Sequence, residues 1–137
     1  MANTLDIQIL HEGYRNIVVK LTGVLDTSDA EELPAIALSS FTANEPRCTL
    51  VGFRVDLLEW AIGTPVEVQL AWAGNNPQQI TPLAGRGRIM GTNYGGFYPD
   101  QTKSGYTGDI NLTTTGYPAG TIQNFTVVLE LLKLYKS

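Results

Sequence analysis

Nucleophilic hydrolysis needs a base beside a serine, threonine or cysteine, and the chain offers one histidine for that task, His11. It continues the alternation of Leu5, Ile7 and Ile9, which makes it a strand-end residue, and no G-x-S-x-G elbow accompanies it. The single cysteine, Cys48, opens an apolar segment, where a free thiol behaves as a small hydrophobe. One histidine and one cysteine cannot assemble a zinc site of ordinary spacing within one chain. Asp26, Asp29, Glu31 and Glu32 would suit calcium by type, but they lack the D-x-[DN]-x-[DN]-G loop, and Ser28 with Glu31 reads as a helix capping box instead. Asp56, Glu59 and Glu67 could supply the acid and base of a glycosidase, yet alternation turns Glu67 away from the apolar face into solvent. In Gly85-Arg86-Gly87-Arg88, Met90 stands where a dinucleotide loop requires glycine, and the Gly-Lys-Ser/Thr of a P-loop is missing. These residues predict no catalytic site, no metal and no cofactor.

Recognition is the other chemistry on offer. Nine of the 14 glycines fall between Gly85 and Gly120, with Tyr94, Phe97, Tyr98 and Tyr106 among them. Glycine lets the backbone take positive φ, and large rigid aromatics suit a sugar platform or a protein interface as well as packing over the end of a domain. A net charge of -4 with 9 basic and 13 acidic side chains gives no field for gripping phosphates, so direct nucleic-acid binding is not expected. The chain has no apolar run near the ~20 residues of a membrane helix and no leader pattern, so no membrane partner is expected either.

The elements that would position these groups have a period of two. Leu5 to Ile9, Asn16 to Thr22, Val51 to Leu57, Val66 to Trp72, Arg86 to Met90 and Ile110 to Thr114 alternate as strands with one face on a core, and Gly63-Thr64-Pro65 reads as a turn. Asp29 to Leu33 reads as one helical turn cut short by Pro34, followed by an irregular stretch through Pro46. Length and composition fit one domain over residues 1–137, with 43% hydrophobic and 16% charged residues. The expected fold is all-β: an antiparallel β-sandwich or jelly roll with one short helical turn.

Phe125 to Tyr135 is the most apolar stretch and carries aliphatic side chains on both parities. The β-branched Thr126, Val127 and Val128 favour a strand, covered on both faces, either centrally or by a second subunit. Val128, Leu132 and Leu134 then form the face that a homo-oligomer or partner would cover, beside the Tyr94, Phe97, Tyr98 and Tyr106 loops.

Three patches, Tyr14 to Asp26, Val66 to Trp72, and Thr107 to Gly116 followed by Phe125 to Lys133, together resemble the small virion structural proteins of tailed bacteriophages, in particular those of the capsid decoration or cement type. The resemblance spans most of the chain as a general pattern without a diagnostic motif. It implies a β-rich fold, no catalysis, a cyclic homo-oligomer with a trimer favoured, the major capsid protein as partner, and a place in the virion after assembly in the host cytoplasm. A phage tail or neck component, or a carbohydrate- or receptor-binding β-sandwich module, is the alternative reading.

Overall fold

The computed structural model describes residues 3–13, 15–29, 33–41, 48–91 and 95–136. Within them the chain forms β1 (Thr4–Glu12), β2 (Asn16–Leu25), β3 (Leu33–Ile36), β4 (Thr49–Ile62), β5 (Glu67–Trp72), β6 (Gln78–Ala84), β7 (Arg86–Met90), β8 (Ile110–Thr115) and β9 (Gln123–Lys136). The strands pair as nested antiparallel partners: β5 with β6, β4 with β7, β3 with β8, and β2 with β9. This is one long hairpin, and winding it on itself brings β9 against β4 and β5 against β8. Two sheets result, in the orders β1-β2-β9-β4-β7 and β3-β8-β5-β6. That connectivity is a jelly roll with β1 added at one edge.

Alternation fills the space between the sheets. Ile17, Val19 and Leu21 of β2, Val68 and Leu70 of β5, and Val127, Leu129 and Leu131 of β9 are all fully buried. The long strand β4 departs from simple alternation. Register shifts between Leu50 and Gly52 and between Val55 and Leu57 place Leu50, Phe53, Val55 and Leu58 inside and leave Val51 and Leu57 half-buried, against the expectation that both face the core. A strand of 14 residues bends round the sandwich, and each bulge supplies part of that bend.

Two strands escape the sequence pattern. β6 contains Pro82 and β3 contains Pro34, and both lie at an edge of the smaller sheet, where a missing N–H is tolerated. The expected helical turn Asp29 to Leu33 is corrected at Leu33, which pairs with Leu112 in β3. Asp29 instead accepts hydrogen bonds from the Thr114 hydroxyl and the Tyr117 amide, each at 3.1 Å. Ala30, Glu31 and Glu32 lie outside the described residues. The described helical element is a single 3-10 turn, Leu38–Ser40.

The two sides of the sandwich differ. On one, β6 runs directly into β7 through Gly85, whose φ of 65° is open to glycine, and the chain passes from one sheet to the other. The Ile62 amide donates to the Gly85 carbonyl at 2.7 Å and Trp60 Nε1 to the Ala84 carbonyl at 3.0 Å, closing that side. On the other side, β1 and β3 are the edges. β1 overhangs the smaller sheet, so Ile7 and Ile9, expected in the core, are 44% and 43% exposed.

Candidate functional site

β9 is central in the larger sheet, between β2 and β4, and its inward parity is buried from Phe125 to Lys133. Its outward parity presents the residues that the sequence singles out. Val128 lies between Lys20 of β2 and Glu59 of β4, and Leu132 between Asn16 and Arg54. Leu134 pairs with Gly52. All three leucine and valine side chains are half-buried, with no layer of the described chain over them. Val18 and Leu57, on either side of Glu130, extend the same face.

At one end of this face the Arg54 guanidinium grips Asp56 with two nitrogens and donates to the Tyr98 hydroxyl at 3.1 Å. The hydrogen bond to Asp56, then that to Tyr98, raises the Arg54 pKa, so the side chain stays charged. Its carbon lies 5.6 Å from the centroid of the Tyr98 ring, and Tyr98 is 57% exposed. Asp56, weighed in the sequence as a glycosidase carboxylate, is here the partner of Arg54, which the sequence does not single out; the polar parity of a strand beside a bulge is the signal that would have found the arginine. At the other end, Arg86 and Arg88 of β7 join Glu59, Thr126 and Val128 around a shallow depression. Arg88 is the cross-strand partner of Glu59, so Arg86, Gly87 and Arg88 belong to an edge strand and not to a phosphate loop.

The aromatic group does not gather on one surface. Phe97 is strapped to β4 by reciprocal backbone hydrogen bonds with Val55 and packs against the core. Tyr106 turns inward, donating its hydroxyl to the Val51 carbonyl at 2.9 Å. Gly52 makes room for it, since a Cβ there would stand 2.1 Å from that oxygen. Tyr98 alone of these three is exposed, and Tyr94 lies outside the described residues. Phe97, Tyr106 and Trp72, whose Nε1 donates to the Phe53 carbonyl at 3.2 Å, cap the half of the β4 edge that β7 leaves open.

Burial first, and then the charge of Asp109, pushes the Tyr106 pKa up to about 12. The folded state therefore holds this proton above the ordinary ~10 of an unfolded chain. Stability from this group is complete below pH ~10 and declines as pH rises through 10 to 12. Tyr106→Phe should lose about 1 kcal/mol at neutral pH with the Val51 hydrogen bond, and should flatten part of the alkaline decline. Thermal unfolding of both proteins between pH 8 and about 12 reads the difference, and parallel curves would remove Tyr106 as its source.

His11 is exposed at the end of β1 and Cys48 half-buried ahead of β4. Among the described residues no three His, Cys, Asp or Glu side chains gather as metal ligands would. Comparisons with family models, with curated proteins and with solved structures gave no match for this chain.

Proposed function

We propose that the protein is a non-catalytic structural subunit of a tailed-bacteriophage virion, a decoration or cement protein that binds across junctions of the major capsid protein. The observation that carries this reading is the half-buried row Val128, Leu132 and Leu134 on the central strand of the larger sheet, with Glu130 between Val128 and Leu132 and with Lys20, Glu59 and Arg54 beside it on the neighbouring strands. Apolar side chains set among charged ones on an open sheet face suit a protein-docking surface, which combines apolar contact with polar pairing. Viral capsid domains are among those built as jelly rolls, a fold-level analogy that agrees with the sequence resemblance. A subunit seated across a junction must lose its contacts when the shell parts, so its binding free energy adds to that of the assembled state.

The test is co-sedimentation with shells of the major capsid protein. The wild type should pellet with them, and Val128→Glu with Leu132→Glu should weaken binding at least tenfold while circular dichroism stays unchanged, because both side chains already meet solvent. Equal pelleting of the folded double variant would remove this face from the contact. Lectin domains use the same architecture, so retention on a glycan array without shell binding would move the reading to a sugar-binding module.

A further inference from the structure

The edges of the two sheets are unequally protected. β7 carries Arg86 and Arg88, β3 is four residues long with Pro34, β6 holds Pro82, and the open half of β4 is capped by Phe97, Trp72 and Tyr106. Charges, prolines and short lengths are the usual guards against edge pairing. β1 has none of these over Leu5 to Leu10 apart from Asp6, is nine residues long, and has no strand on its outer edge among the described residues. Beneath it Ile7 and Ile9 line a groove of about 240 Å3 with Ala35, Ile36 and Phe41 of the facing sheet side.

We infer that this edge pairs with β1 of a second copy, antiparallel and about a twofold axis at Gln8. Such an axis, normal to the sheet, keeps every side chain on its own face, so residues of one parity can meet only their own parity. Gln8 is the midpoint of Thr4–Glu12, and this register pairs Asp6 to Leu10 of the two copies, up to the bulge between Ile9 and His11. It sets Ile7 opposite Ile9 of the partner subunit and Ile9 opposite Ile7, joining the two grooves under four isoleucines. On the outer face Asp6 falls opposite Leu10 of the partner subunit, beside His11, which the β-bulge between Ile9 and His11 brings to that face. Acid therefore meets imidazole, and no carboxylate faces another. The contact stands apart from the outer face of β9 and does not rest on the virion reading. It gives a dimer, where the resemblance implies a trimer.

Single cysteines in a Cys48→Ser background test the register. Gln8→Cys places a thiol on the axis next to its own copy and should convert most of the protein to a disulfide dimer under mild oxidation. Asp6→Cys should convert less than a tenth as much, since four residues separate the two copies along the pair, about 13 Å, beyond disulfide reach. Adding Ile7→Lys and Ile9→Lys to Gln8→Cys should abolish the dimer band, with circular dichroism confirming the fold. Gln8→Cys cross-linking no faster than Asp6→Cys, or surviving the two lysines, overturns the proposal.

Discussion

Phe53→Ala should melt roughly 10–20 °C below the wild type. Phe53 is the largest side chain with no exposure among the described residues, its ring meets Phe41 edge-on at 5.3 Å and 72°, and its backbone carbonyl accepts a hydrogen bond from Trp72 of the opposite sheet. Truncating a buried phenylalanine costs about 3–5 kcal/mol, from lost transfer free energy and from the cavity that remains. Here the walls are two hydrogen-bonded sheets joined at the β6–β7 corner, which cannot close over the void as a loop could. Each kcal/mol moves the melting temperature by a few degrees in a domain of this size. The control is Ile9→Ala: Ile9 is 43% exposed, and its loss should stay under about 1 kcal/mol. Thermal and urea unfolding of both variants settle the contrast, and a Phe53→Ala loss below about 1 kcal/mol would mean that the core collapses into the gap.

Where alternation is strict, the sequence is legible: β2, β5 and β8 bury the parity that the pattern selects. It misleads where one strand serves two environments. In β4 the two bulges shift the parity midway, and no residue type announces that a 14-residue strand must bend there. In β1 the local pattern Leu5, Ile7, Ile9 is that of a buried face, but burial depends on whether the opposite sheet reaches so far, which is a property of the whole topology. β3 and β6 are hidden by prolines that only an edge position excuses.

The candidate site divides the same way. The outward row of β9 follows from parity and was legible in Val128, Leu132 and Leu134. The gathering of Arg54, Asp56 and Tyr98 was not, because Tyr98 arrives from a loop 44 residues away from Arg54 in sequence. Aromatic enrichment alone could not tell Tyr98, turned to solvent, from Tyr106, used as a peg. The caps on the β4 edge explain why these aromatics are present: each satisfies or shields backbone that would otherwise template pairing. That work is finished on the β4 side and undone on the β1 side.

The second large effect concerns Lys133, which has the inward parity of Leu129 and Leu131 and a side chain with no exposure. Its Nζ donates to Glu12 Oε2 at 3.0 Å and to the Gly13 carbonyl at 3.3 Å, fastening the β1–β2 turn to the end of the core. Its cross-strand neighbour is Phe53. An ion pair of this kind gives unequal losses when its members are removed singly. Glu12→Ala takes a carboxylate from a buried ammonium, and breaking a buried pair from one side costs about 3–5 kcal/mol. Lys133→Met keeps the volume and removes the buried charge itself, while the Glu12 side chain is 26% exposed and already meets water, so its cost should stay within about 1–2 kcal/mol. The double variant should then resemble Lys133→Met alone, giving a coupling energy that urea unfolding of the four proteins measures directly. If Glu12→Ala and Lys133→Met lose equal stability and their losses add, the turn is held by packing, and the buried charge is incidental to it.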